Sequence, residues 1–305
     1  MTTWSTAMGL EVPIVNAPMG GVAGGRLAAA VSNAGGLGMI GMGSSATASK
    51  LTEQLDHLGT LSRPFGIGLV GWVVDNEPAL LETALAAQPA LLSVSFGEDW
   101  SWVDQAHQAG VTPAAQVADL QEARRAVDAG VDVLVARGAE GGGHGRPTVA
   151  TLPLLAEILD VVNVPVLAAG GIGSARAVSA VLRAGASGVW IGTALAACTE
   201  SLLTDAARAA MFRAQNTDTV TSRVFDAVLG YPWPSDLPER VLRNSFTDRW
   251  HDHEDAIDEA AKAELQKAIT NDDYSIAPIN AGQAVGHVTA KEPAAAVITR
   301  LTAGI

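Results

Sequence analysis

The chain alternates between two apolar patterns. Short runs in which nearly every residue is apolar give way to longer stretches whose apolar residues recur every three or four positions. The first pattern reads as buried strand, the second as a helix with one covered face. Strands are predicted over Val12–Asn16, Leu37–Ile40, Phe65–Leu69, Leu91–Ser95, Thr112–Gln116, Val131–Ala136, Val164–Ala169 and Gly188–Ile191. The intervening helices are predicted over Gly25–Ala34, Thr47–Leu58, Glu77–Ala87, Trp100–Ala109, Ala118–Ala129, Leu152–Asp160 and Ala175–Ala184. Gly35, Gly59, Gly110, Gly130 and Gly185 fall where helices should stop, since glycine adopts the left-handed terminal conformation without a Cβ clash.

The strand segments lack strict alternation, as expected of parallel strands covered on both faces. Eight βα units in roughly 200 residues predict an α/β fold, a (β/α)8 TIM barrel, whose usual length is ~250 residues. An open doubly wound sheet is the competing topology. Its dinucleotide fingerprint is missing after the first strand, because Ala17-Pro-Met-Gly-Gly has neither the glycine spacing nor the acidic partner. That favours the barrel.

Near Glu200 the pattern changes. Ser201–Gln215 reads as a helix, Tyr231-Pro-Trp-Pro234 as an extended break, and Asp248–Ile269 as a charged, alanine-rich helix. With no strand expected there, residues 1–200 are assigned to the barrel and 201–280 to a helical domain on the substrate side. Residues 281–305 are assigned to a C-terminal segment whose helix, Ala284–Leu301, returns to close the barrel.

Composition narrows the function. Of 305 residues, 48% are hydrophobic and 17% charged, the balance of a globular protein. A net charge of −13 opposes nucleic acid and anionic membrane surfaces, which both require basic patches. The single cysteine, Cys198, excludes an internal disulfide and reads as an inert buried thiol. A reducing, cytoplasmic location fits. No basic-then-apolar start marks a signal peptide, and no run approaches the ~20 apolar residues of a membrane span, so a soluble protein is expected.

The candidate chemistry lies in three glycine-rich turns, each following a predicted strand. They are Gly138-Ala-Glu-Gly-Gly-Gly-His144-Gly-Arg146, Ala168-Ala-Gly-Gly-Ile-Gly-Ser174 and Ile191-Gly-Thr-Ala194. Such turns are either plain helix stops or phosphate cradles built from backbone N–H groups. In a barrel, the loops after strands seven and eight commonly hold phosphate. Here they place Gly170, Gly171, Gly173, Gly192 and Thr193. His144, between glycines after strand six, is the candidate base, with an ordinary pKa near 6.5. Ala17, Pro18 and Met19 are placed on the pocket floor, where a flat ring would lie. Gln116 and Arg137, at strand ends, either meet a ring edge or serve packing and ion pairing. Trp100, Trp102, Trp233 and Trp250 read as packing residues. His57 and His107 sit in outer helices, His251 and His253 cannot share a helix face, and His287 opens the last helix. No pair has metal-ligand spacing, so no metal is expected.

As a set, Ala17-Pro-Met-Gly20, Asn33-Ala-Gly-Gly-Leu-Gly38, Gly138–His144, Ala168-Ala-Gly-Gly-Ile172 and Ile191-Gly-Thr193 resemble the nitronate monooxygenases, formerly the 2-nitropropane dioxygenases. Arg223-Val-Phe-Asp226, Leu242-Arg-Asn244 and Asn280–Gly286 extend the resemblance over nearly the whole chain. It implies non-covalent FMN, with Ala17, Pro18 and Met19 against the isoalloxazine and Gly142 and Gly143 bordering it. Gly170, Gly171, Gly192 and Thr193 would hold the phosphate, and His144 matches the catalytic histidine. The implied reaction is oxidation of a nitronate, or of a nitroalkane after proton loss, by O2 to a carbonyl compound and nitrite. The superfamily also contains FMN-dependent enoyl-acyl-carrier-protein and NADH:quinone reductases, so an NAD(P)H-linked reductase is the alternative. A flavin-binding protein without turnover is a third reading. A homodimer fits either enzyme. The chain departs from the family pattern at Gly141, at Gly68, where an asparagine is common, and at Ala194, where arginine is common.

Overall fold

Eight parallel strands curl around an apolar interior in the computed structural model, which describes residues 1–305. They are β1 (Ile14–Asn16), β2 (Gly38–Gly41), β3 (Phe65–Val70), β4 (Leu91–Ser95), β5 (Thr112–Val117), β6 (Val133–Arg137), β8 (Val166–Ala169) and β9 (Gly188–Ile191). A two-residue strand, β7 (Gly143–His144), branches from the loop between β6 and β8. Hydrogen bonding runs in the order β1-β9-β8-β6-β5-β4-β3-β2, and a parallel bridge between Val15 and Leu37 brings the two ends together. This is the expected TIM barrel.

Both faces of the strands are largely buried, which is why the sequence shows no alternation. Val15, Met39, Leu91, Ala114, Val133, Val135, Leu167 and Trp190 fill the interior. Their neighbours Ile14, Ile40, Leu92, Ala115, Leu134, Val166 and Val189 belong instead to the larger cluster under the helices. The short N-terminal helix Thr3–Ala7 adds Trp4 to the interior group. The seam between β1 and β2 is completed by a side chain. Asn16, wholly buried, accepts from the Met39 N–H at 2.7 Å and donates to the Met39 carbonyl at 2.9 Å. Those two main-chain groups would otherwise lack partners inside the core.

The outer helices follow the expected boundaries to within a few residues, and Thr47, Asp119 and Ser174 cap three of them. The last helix, Ala294–Thr302, starts later than expected, after a 3-10 turn at Val285–His287 that contains His287. It packs between Gly25–Asn33 and Ala175–Arg183, closing the helical ring between the first and last units.

The segment after the barrel differs in two respects from the expectation. Besides its helices Asp205–Arg213, Val224–Leu229, Ser245–Trp250 and Glu259–Thr270, it contains β10 (Thr219–Ser222) and β11 (Glu239–Leu242). These pair antiparallel with each other, and β11 pairs with β7. Each strand is only four residues long, too short to show a period, and the partner comes from a distant barrel loop. The single helix expected over Asp248–Ile269 is broken. Asp252 takes φ +63, a 3-10 turn occupies Glu254–Ala256, and Asp258 caps a new helix at Glu259.

Candidate active site

The carboxyl ends of the strands open into a cavity of about 760 Å3. Its lining includes Ala17, Pro18 and Met19 after β1, Gln116 on β5, Arg137 at the end of β6, and Gly142, Gly143 and His144. Gly170 and Gly171 after β8, and Gly192 and Thr193 after β9, join them. Gly173 does not line the cavity. It packs behind it, where an added Cβ would stand 2.8 Å from the Ala284 methyl.

Two glycine turns leave main-chain N–H groups unpaired at the cavity wall. Gly170 and Gly171 adopt φ +108 and +67, which allows successive amides to point the same way. None of the Gly170, Gly171 and Gly192 N–H groups donates to a backbone carbonyl. The Thr193 hydroxyl accepts from Gly282 N–H at 2.9 Å, which leaves its own hydrogen to donate. Unpaired amides on a cavity wall are costly unless water or an anion satisfies them. An anionic group fits this cradle without any lysine or arginine.

Pro18 lies against Gly68, and any Cβ at that position would overlap the proline ring. The family asparagine absent at Gly68 therefore has no room beside Pro18. Ala194 is buried in the turn of helix that follows Gly192.

Arg137 has a loop-building task. Buried at 5% exposure, it donates through Nη2 to the carbonyls of Gly141, Gly142 and Gly143 at 2.7, 3.2 and 2.8 Å. Burial, and secondarily the charge of Arg240, lower its pKa to about 10, so it stays cationic at neutral pH. Glu140 accepts from the Thr151 N–H and hydroxyl, both at 2.9 Å. Arg240 donates from Nε and Nη2 to the Ala139 carbonyl at 3.1 and 2.9 Å. The glycine-rich loop is thus clamped from three sides, which fixes the residue that ends it.

That residue is His144. Its backbone is registered against Glu239 on β11, and its Nε2 lies 3.1 and 3.0 Å from the two carboxylate oxygens of Asp226. An ionised carboxylate only accepts, so Nε2 carries the hydrogen and the lone pair resides on Nδ1. The Trp233 ring stacks on the imidazole, with centroids 3.6 Å apart and planes 7° from parallel. Trp233 is held in turn by a 3.0 Å hydrogen bond from Nε1 to Ser44 Oγ and by edge contacts with Phe96 and Trp72. Phe96 accepts φ +68, a strained value for a bulky residue.

Trp233, a packing residue by sequence, covers one face of the candidate base and lines the cavity. Asp226, Glu239 and Asn280 also line the cavity and had no assigned role. A signal existed for Asp226, since Arg223-Val-Phe-Asp226 belongs to the motif set. For Glu239 nothing local marks it, because its relation to His144 is made by strand pairing. Cys198 is the buried thiol expected, its pKa pushed up to about 12 by burial. No group of three or more histidine, cysteine or carboxylate side chains is arranged to hold a metal, and no helix is long and apolar enough to cross a membrane.

The family model described as nitronate monooxygenase matches residues 2–79 and 74–304. The chain belongs to the nitronate monooxygenase family. Among individual relatives of this family member, it is 29% identical over 296 residues to a probable nitronate monooxygenase of Staphylococcus aureus strain JH9, covering 79% of this chain and 83% of that one. It is 31% identical over 251 residues to the (3aS,4S,5R,7aS)-5-hydroxy-7a-methyl-1-oxo-octahydro-1H-indene-4-carboxyl-CoA dehydrogenase of Rhodococcus jostii strain RHA1, covering 81% and 68%. Two solved structures share its architecture. FabK from Thermotoga maritima superposes with TM-score 0.85 at 28% identity, over 99% of this chain and 94% of that one. Nitroalkane oxidase from Streptomyces ansochromogenes does so with TM-score 0.84 at 26% identity, over 98% and 97%. The protein is an oxidoreductase of this family.

Proposed function

We propose that the protein binds FMN and oxidises alkyl nitronates, or nitroalkanes after deprotonation, with O2. The observation that carries this reading is the His144–Asp226 pair facing the same cavity as the unpaired amides near Gly171 and Gly192. The similarity to nitroalkane oxidase and to probable nitronate monooxygenases supports the choice of substrate.

Gly170, Gly171, Gly192 and Thr193 would hold the FMN phosphate through N–H groups and the Thr193 hydroxyl. Three or four charge-assisted bonds of this kind contribute roughly 5–10 kcal/mol before association costs, on the scale of micromolar binding at ~8 kcal/mol. Ala17, Pro18 and Met19 would support the ring, with Gly142, Gly143 and Gln116 at its border. Bound FMN would supply the redox chemistry, accepting an electron from the nitronate on the way to carbonyl compound and nitrite.

The chain itself handles the proton. His144 Nδ1 removes the α-hydrogen of a neutral nitroalkane, and Asp226 stabilises the resulting imidazolium while keeping the ring in one tautomer. Trp233 excludes water from one ring face and favours the cation by about 0.5–2 kcal/mol. A nitronate arrives already deprotonated and needs no base.

The second reading is an FMN reductase that draws hydride from NAD(P)H for an enoyl thioester or quinone. The similarity to FabK and to a CoA-thioester dehydrogenase favours it. Aerobic turnover separates the two. Consumption of O2 with release of nitrite from a nitronate, without added NAD(P)H, supports the oxidase; NAD(P)H oxidation with no nitrite from any nitronate supports the reductase.

A further inference from the structure

The strand that pairs with His144 carries a second buried acid. Glu239 is 5% exposed, sits on β11 in register with His144, and lines the same cavity as Asp226. Asp226 reaches the imidazole from the helix Val224–Leu229. Glu239 and Asp226 are both buried, and they lie close enough for the charge of one to act on the other. Two like charges in such a space cannot both be held cheaply, so one carboxyl retains a proton.

We propose that Glu239 is a positioning residue acting on His144 through Asp226, its buried carboxyl keeping a proton so that Asp226 alone carries charge beside the imidazole. The inference rests on reading His144 as the base. It adds a control over that base: ionisation of Glu239 would add a second negative charge and strengthen the imidazole's hold on its proton. The assignment of the proton to Glu239, and not to Asp226, follows from their partners. Asp226 has the imidazole Nε2–H. Glu239 has the Asn280 side chain and no cation. Of the charged groups nearby, Arg137 is directed to the carbonyls of residues 141–143 and Arg240 to that of Ala139. Glu140 is turned to Thr151. Burial, followed by the charge of Asp226, pushes Glu239 up to about 8.

The test is an NMR titration of the purified full chain with isotope-labelled glutamate carboxyls and histidine rings, from acid to pH 10. Glu239 is identified by the signal lost in E239Q, and His144 by the one lost in H144Q. The Glu239 carboxyl should titrate near pH 8, apart from the other glutamates. The His144 ring should show an inflection at the same pH in the wild type and none there in E239Q. In D226N, which removes the repelling charge, the Glu239 inflection should move to lower pH by a unit or more. Should E239Q not fold, E239D locates the signal and the D226N shift still decides. Titration of Glu239 with the bulk glutamates would overturn the proposal, as would a His144 curve in E239Q that superposes on the wild type. Neither readout uses nitronate, NAD(P)H or turnover, so loss of the oxidase reading and loss of this one are separate results.

Discussion

Replacing Asp226 by asparagine keeps the size of the side chain and removes the charge that faces His144. The effect can be worked from the contact. The carboxylate lies 3.0 Å from Nε2, and the two side chains are 9% and 13% exposed, so solvent screens the pair weakly. A hydrogen bond to a charged partner contributes about 1.5–3 kcal/mol, and asparagine gives up the charge that stabilises the imidazolium. Where asparagine turns its amide N–H to Nε2, the ring hydrogen moves to Nδ1 and occupies the lone pair assigned to proton abstraction. Weaker basicity and the wrong tautomer together should slow proton abstraction by ~10²–10⁴-fold, the range for losing a positioned base or its orienting partner. The assay is anaerobic stopped-flow reduction of the FMN-loaded variant by a neutral nitroalkane and, separately, by the preformed nitronate. Only the nitroalkane rate should fall, and raising the pH should not restore it. Equal losses with both substrates would mean that Asp226 serves the fold or the flavin. An unchanged nitroalkane rate would remove it from the proton transfer altogether.

Other outcomes follow from the same structure. Gly171→Ala forces an L-residue into φ +67 against the Glu140 side chain, a cost of about 1–2 kcal/mol; FMN affinity measured by flavin fluorescence should drop roughly 5–30-fold. Trp233→Ala uncovers the imidazole and releases the tether to Ser44, so anaerobic flavin reduction by a neutral nitroalkane should slow roughly 2–30-fold, the equivalent of about 0.5–2 kcal/mol of lost stacking on the cation. Asn16→Leu leaves the Met39 N–H and carbonyl without partners at the barrel seam, and denaturant unfolding should show a loss of about 2–5 kcal/mol. Glu239 should influence stability as well as chemistry. Its carboxyl binds a proton in the folded chain up to about pH 8 but only to about 4.5 when unfolded. Between those values the folded state holds more protons, so stability declines as pH rises through that window. Glu239→Gln, which has no proton to lose, should be more stable than the wild type at pH 8 by a few kcal/mol and show no gain at pH 4. Equal pH profiles for the two proteins would count against the buried neutral acid.

The barrel was readable because its strands announce themselves. Runs such as Val133–Ala136 and Gly188–Ile191 are apolar on both faces, and glycines mark where the helices end. The glycine turns were readable for the same reason, since a backbone cradle needs residues without side chains. What escaped was built from contacts between remote segments. Thr219–Ser222 and Glu239–Leu242 become strands only because they meet each other and His144. Trp233 looks like any tryptophan between prolines until the barrel loop places an imidazole beneath it. Arg137, at the end of a strand, offers a charge that the sequence cannot direct; in the fold it turns to three carbonyls of its own loop. Asp252 illustrates a further limit: a single residue taking a positive φ interrupts a helix whose composition favours continuation.

The claim that matters most is that this cavity holds FMN and passes it electrons from a nitronate. Anaerobic titration of the FMN-incubated protein, followed by its visible absorbance, addresses both halves at once. The protein should stay yellow after removal of free flavin, bleach with a nitronate and be unaffected by NADH or NADPH. A protein that stays colourless, or one bleached by a reduced nicotinamide and not by any nitronate, would contradict it.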